Sequence, residues 1–169
     1  MDDVITGGRR RKYRQLTDYH VKRMILAPSQ WVACKLPVVL KWNPVKFTKA
    51  NKSRISKDCG VYTFLVQPGI ADHPCCSYLL YVGETERQTF QQRYQQYLQE
   101  KEAGDSSRRP HITDMLQKWD GYLWFCYAKM DRRDLITQVE DTLLAAYLPP
   151  TNKDFPATVS AALKKVFGT

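Results

Sequence analysis

Seven consecutive residues, Tyr122-Leu-Trp-Phe-Cys-Tyr-Ala128, are apolar or aromatic at every position. An extended strand points successive side chains to opposite faces, so a run that is apolar at both parities needs cover on both sides of its sheet. This segment predicts a central strand with helices above and below it. It is far too short to span a bilayer, as is every other apolar run in the chain.

The remaining segments can supply that cover. Residues 61–66 and 78–82 read as two strands pairing antiparallel across a long loop that begins Gln67-Pro-Gly-Ile-Ala-Asp-His-Pro,. Residues 38–47 are apolar but interrupted by Pro44, which confines any strand there to an edge,. Phe90, Tyr94, Tyr97 and Leu98 recur at helical spacing within 89–102,. Pro110 opens a second helix with Ile112, Met115, Leu116 and Trp119 on one face,. Asp134 reads as the cap of a third, whose stripe of Leu135, Ile136, Val139, Leu143, Leu144, Tyr147 and Leu148 ends at Pro149-Pro150,. An amphipathic helix over about 157–167 closes the chain. Near the start, Thr17 is read as the cap of a short helix to about residue 26, and Ser29 as the cap of a brief turn. At 169 residues the chain is the size of one domain,. The order predicts an α/β (α+β) sandwich over 60–155, with a small central three-stranded β-sheet flanked by helices. A basic amino-terminal extension, 1–59, precedes it, and a carboxy-terminal amphipathic helix, 156–169, packs on it.

Charge is unevenly placed. Residues 1–60 hold 14 lysines or arginines against 4 acids, whereas 61–169 hold 12 against 13, so the net +9 lies entirely in the first third. Basic blocks suit a polyanionic partner, because neutralised phosphates release counterions. Arg9, Arg10, Arg11, Lys12 and Arg14 form an arm, and Lys52, Arg54 and Lys57 a second basic connector; all eight are candidate DNA contacts. Tyr13, Tyr19, Trp31 and Trp42 are interleaved with this charge and can stack on bases,. Five cysteines in no repeating pattern suit reduced thiols,. His73, Cys75 and Cys76 would make half a zinc site, but no second ligand pair stands at workable spacing. The acidic amino terminus lacks the apolar core of a secretory signal. The expectation is a soluble intracellular protein, cytoplasmic or at the nucleoid or nucleus, with no membrane partner.

A few residues invite a chemical reading. Gly60-Val61-Tyr62 and Tyr81-Val82-Gly83 each set a phenol close to a glycine on a strand, where a second backbone can approach,. Glu140 lies inside the apolar stripe of its helix, where a lone carboxylate is costly unless a metal or an arginine offsets it. Arg93 stands four residues before Tyr97 on one helical face and twelve after Tyr81, placed to grip a phosphate bidentately,. Asn152 follows Glu140 by twelve residues, just past the double proline. Glu84 and Glu86 set negative charge beside the second tripeptide, where they bind further metal or point away.

In order and type, Gly60-Val61-Tyr62, Tyr81-Val82-Gly83, Arg93, Tyr97, Glu140 and Asn152 resemble the GIY-YIG endonuclease family, over about residues 60–152. The resemblance implies a metal-dependent DNA endonuclease. Tyr62 would activate the attacking water, with Tyr81 orienting it. Arg93 would hold the scissile phosphate, and Glu140 would be the protein carboxylate on Mg²⁺ or Mn²⁺. Asn152 would position that shell. Tyr97 stands where many members have histidine, and the 18 residues between Tyr62 and Tyr81 make an unusually long interval. A chain this short implies a compact stand-alone nuclease of restriction, defence or phage type, able to dimerise to cut both strands. The alternatives are a non-catalytic nucleic-acid-binding module of the same fold and a structure-specific repair or junction nuclease.

If the arm contacts phosphates, deleting residues 1–14 weakens DNA binding more at low salt than at high salt. Each lost contact makes the slope of log K against log salt shallower by about 0.9. Fluorescence anisotropy across a salt series measures this, and superimposable curves would remove the arm from the interface.

Overall fold

The computed structural model describes residues 22–68 and 77–167, the side chains of residue 105 and of 164–167 excepted. Its elements run α1 (Pro28–Ala33), β1 (Asn43–Lys46), a 3₁₀ turn (Lys49–Arg54), β2 (Gly60–Val66) and β3 (Tyr78–Thr85). They continue through α2 (Phe90–Ala103), α3 (Pro110–Lys118), β4 (Leu123–Lys129), α4 (Ile136–Tyr147) and α5 (Ala157–Phe167). Four strands, not the expected three, form one antiparallel sheet in the order β1-β4-β2-β3. The extra strand is β1, drawn from residues expected to belong to the basic extension. Its Pro44 lies opposite Cys126 at the sheet's outer margin, where a residue without an N–H leaves no ladder bond unmade,.

The run that is apolar on both faces explains the layering. β4 lies inside the sheet between β1 and β2, as its composition requires. On one face Tyr62, Phe64, Phe125 and Tyr127 pack against Phe90, Tyr94 and Tyr97 of α2 and Ile112, Met115 and Leu116 of α3. On the other, Val61, Val82 and Ala128 pack against Ile136, Val139, Leu143 and Leu144 of α4. The first layer is rich in edge-to-face aromatic pairs, including Phe64 with Tyr97 at 4.9 Å and Tyr94 with Phe125 at 5.3 Å between ring centroids,.

Local signals set α2 firmly. Thr89 caps it reciprocally with Gln92, the Gln92 N–H donating to Thr89 Oγ1 (3.2 Å) and the Thr89 N–H to Gln92 Oε1 (2.8 Å),. Its first turns rest on the 3₁₀ turn, where the Tyr94 hydroxyl accepts from the Thr48 N–H (2.8 Å) and donates to the Thr48 carbonyl (2.8 Å).

Two expected starts differ, and a third lies outside the described residues. The helix expected from Thr17 falls mostly outside the described residues, and residues 22–27 are irregular. α1 begins at Pro28, whose ring suits a first helical position, rather than being capped by Ser29,. Asp134 lies in a 3₁₀ turn (Arg133–Leu135), its carboxylate taken by Arg132 at 2.9 and 2.6 Å, so α4 starts after Leu135 without a side-chain cap. None of the described residues 157–163 of α5 is fully buried; Phe155, just before it, packs against the α4 side of the core. Among the described residues no helix is long and apolar enough to cross a membrane.

Both motif glycines are sterically required. A Cβ on Gly60, whose φ is +152°, would lie 2.2 Å from the Ala128 carbonyl oxygen, and one on Gly83 would lie 2.4 Å from the Tyr62 hydroxyl. Gly83 pairs with Tyr62 across the hairpin, and the Tyr62 ring lies against it. Gly83→Ala therefore forces the ring out of its place, and the expected loss is about 1–3 kcal/mol. That corresponds to a melting temperature roughly 2–12 °C lower, measured by circular dichroism. An unchanged melting temperature would contradict this packing.

Candidate active site

Three tyrosines from three elements meet at the hairpin. Tyr62 of β2 is fully buried, and its hydroxyl lies 2.7 Å from that of Tyr97 of α2. Tyr81 of β3 packs its ring 6.3 Å from each of the other two. Arg93, one turn before Tyr97, stands 5.9 Å from that ring, and Arg109, at the start of α3, stands 5.4 Å from it,. Arg109 is also held by Glu100, at 2.9 Å from Nε to Oε1.

This surrounding decides the protonation states. Burial pushes the Tyr62 and Tyr81 phenols well above their ordinary value, and Tyr97 likewise,. At neutral pH all three are donors holding their protons. The expected water-activating role does not suit Tyr62, which has no exposed surface and is far from ionising. Burial works against the Arg93 charge, while the nearby Tyr62, Tyr97 and Tyr81 oxygens favour it and hold its pKa above the ordinary value.

Glu140 projects from α4 toward the same place. Burial raises its pKa to about 7, Glu84 and Asp141 push it further in that direction, and Arg93 opposes them. Two neighbours carry buried polar atoms that make no hydrogen bond, Glu84 Oε2 and Arg93 Nε. Buried groups are ordinarily paired, so an unpaired carboxylate oxygen and an unpaired guanidinium N–H beside a second carboxylate form a site suited to a ligand with charge of both signs. Among the described residues, no three His, Cys, Asp or Glu side chains are arranged to hold a metal ion together, so any ion here takes the remainder of its shell from elsewhere.

Asn152 is present but acts on the backbone. Its Oδ1 accepts from the Val82 N–H (3.0 Å) and its Nδ2 donates to the Val82 carbonyl (2.8 Å), completing the outward-facing bonds of edge strand β3. The Thr151 N–H adds a bond to the Leu80 carbonyl at 3.0 Å. The segment after α4 is thereby laced to β3, and a cleft of about 300 Å³ opens beside it, lined by Tyr81, His111, Glu140, Asn152 and Lys153 among others. A larger groove of about 550 Å³, bounded by Gln30 and Cys34 of the α1 region and Thr137 and Thr142 of α4, touches none of the residues expected from the sequence.

Tyr81, Glu140 and Asn152 thus meet at the cleft beside edge strand β3, with the buried Tyr62 and Tyr97 packed against Tyr81 and Arg93 against Tyr97. The described basic candidates are not among them. Arg9, Arg10, Arg11, Lys12 and Arg14 lie outside the described residues, as do His73, Cys75 and Cys76. Lys52 and Arg54 sit on the 3₁₀ turn beside the start of α2, with Lys57 just beyond it, and none of the three lines the cleft. Sequence reasoning missed Arg109, His111 and Lys153. The only local signal for Arg109 and His111 was Pro110, which marked a helix start without saying where it would point.

Comparison of the chain with protein-family models, curated proteins and solved structures returned no match.

The Glu140 environment has a measurable consequence. Its folded carboxyl, at about 7, holds its proton more tightly than the unfolded one at roughly 4.3,. Without added metal, the melting temperature should fall as pH rises through this interval, because the folded state alone still binds that proton. Glu140→Gln should flatten the decline and melt above wild type at about pH 8. Calorimetry that finds identical pH profiles would place Glu140 in open solvent.

Proposed function

We propose that this protein is a divalent-metal-dependent endonuclease of the GIY-YIG type, hydrolysing phosphodiester bonds of DNA. One observation carries the reading: Tyr81 of β3 and Glu140 of α4 line one cleft, and Arg93 of α2 and the buried Tyr62 of β2, far away in the chain, lie within electrostatic reach of that carboxylate. Coincidence of residue types along a sequence does not require that. A phosphodiesterase does, since it must hold an anion, offset added charge and manage a proton within a few ångströms.

The residues fit the implied ion. Glu140 and Glu84 offer hard oxygen donors, Glu84 Oε2 is buried without a hydrogen bond, and their mutual repulsion is the kind a dication relieves,. When bound, Mg²⁺ or Mn²⁺ neutralises phosphate charge and lowers the pKa of a coordinated water. Arg93 is placed to grip a phosphate oxygen, its Nε free and one terminal nitrogen anchored 3.0 Å from Gln96 Oε1,. Tyr62 and Tyr97 form a hydrogen-bonded floor that fixes the guanidinium and the Tyr81 ring. Tyr81, which lines the cleft with its proton retained, orients water or a phosphate oxygen by donating to it. Asn152 keeps the edge of β3 closed, so the cleft wall stays in register. The basic first third supplies substrate grip,.

Purified protein incubated with plasmid and with branched DNA should cut in Mg²⁺ or Mn²⁺ and not in EDTA. Arg93→Ala should lower the rate by about 10²–10³-fold, the usual effect of removing one charge-stabilising donor. Glu140→Ala should abolish cutting. Cleavage at the wild-type rate by Glu140→Ala would sink the metal-ligand assignment.

A further inference from the structure

We propose that His111 is the proton acceptor for the attacking water at this site. The inference rests on the nuclease reading and supplies what its residues lack. A base is needed that is unprotonated at neutral pH and able to take a proton. Tyr62, Tyr81 and Tyr97 are all pushed away from ionisation by burial. Glu140 is committed to the ion.

His111 meets the requirement by position. It lines the same cleft as Tyr81, Glu140 and Asn152, carried there by the first turn of α3. Its Nδ1 is buried and makes no hydrogen bond, so the fold does not use that nitrogen. A histidine kept for structure alone would ordinarily have it paired. Its surroundings keep the ring neutral: burial, then Lys153, Arg109 and Lys22 all disfavour a second proton, with Asp154 alone opposing them. The positive end of α3 acts in the same direction. Glu140 and Asp141 of α4 are the other ionisable groups of the cleft wall facing this ring, besides Tyr81. An unprotonated imidazole lining the same cleft as Tyr81 and Glu140 is a usable base at neutral pH,.

The step balances. Water oxygen forms a bond to phosphorus as one of its protons passes to an imidazole nitrogen of His111. The bond from phosphorus to the departing sugar oxygen breaks with its electron pair, and that oxygen takes a proton from solvent. The imidazolium then releases its proton to solvent. One water is consumed and a phosphomonoester and a hydroxyl result.

The test uses the full chain with Mg²⁺ and plasmid in single-turnover cleavage, comparing wild type, His111→Ala and His111→Gln. His111→Ala should cut about 10²–10⁴-fold more slowly, with DNA affinity within about twofold of wild type, since a base contributes little to ground-state binding. Added imidazole should restore part of the rate, more so as it loses its own proton. Rescue with retained affinity supports the proposal. A His111→Ala rate within about threefold of wild type, or a loss that imidazole does not restore, overturns it and leaves the nuclease reading standing. If His111→Ala fails to fold, His111→Gln decides: its pH–rate profile should lack one protonation step present in wild type, and an unchanged profile overturns the proposal. Wild type that cuts neither plasmid nor branched DNA in Mg²⁺ or Mn²⁺ overturns the nuclease reading, and this inference with it.

Discussion

The hydroxyl of Tyr62 lies 2.7 Å from that of Tyr97, directly against the bare Cα of Gly83, and the rest of the molecule is arranged around that contact. It joins the central hairpin to α2, fixes the height at which α2 crosses the sheet, and therefore places Arg93 one turn earlier on the same helix. A larger residue at position 83 would expel the ring. An aliphatic residue at 62 would take one hydrogen-bond partner from the buried Tyr97 hydroxyl, at a cost of about 0.5–1.5 kcal/mol,. The tyrosines and glycines of the two tripeptides are thus one packing unit, in which a phenol on one strand needs a glycine on the next.

Around that rigid floor the electrostatics are left unresolved by the protein itself. Arg93 has a buried N–H without a hydrogen bond, Glu84 a buried oxygen without one, and Glu140 is raised to about 7 by burial and by its acidic neighbours. A stable fold ordinarily pairs such groups. Local rules broken together at one place, while the aromatic layer beneath obeys all of them, are what a functional site looks like from the standpoint of stability. The same burial that strains Glu140 stops the phenols from ionising.

Most of the fold could be read from local pattern. The doubly apolar run marked β4 as interior, Pro44 marked an edge, and the spacing of Phe90, Tyr94, Tyr97 and Leu98 marked α2, because each signal acts within a few residues. The strand count could not be read so: β1 is four residues long and exposed at three of them, and it exists because β4 offers it a free edge. Asp134 misled for a related reason. Its neighbour Arg132 offered a stronger partner than the helix N–H groups did.

Of the candidate site, the sequence by itself determined the residue types and their order. Tyr62, Tyr81, Arg93, Tyr97, Glu140 and Asn152 were legible because glycines in strands, a carboxylate in an apolar stripe and an arginine one turn from a tyrosine are each locally anomalous. Only the tertiary structure decided what those residues do. It buried Tyr62 in the aromatic layer, turned Asn152 onto the Val82 backbone, left Glu84 Oε2 without a hydrogen bond, and swung the start of α3 round so that Arg109 arrived beside Tyr97 and His111 at the cleft. Ionisation depends on burial and on neighbours brought from far along the chain, and neither is a property of any short stretch of sequence.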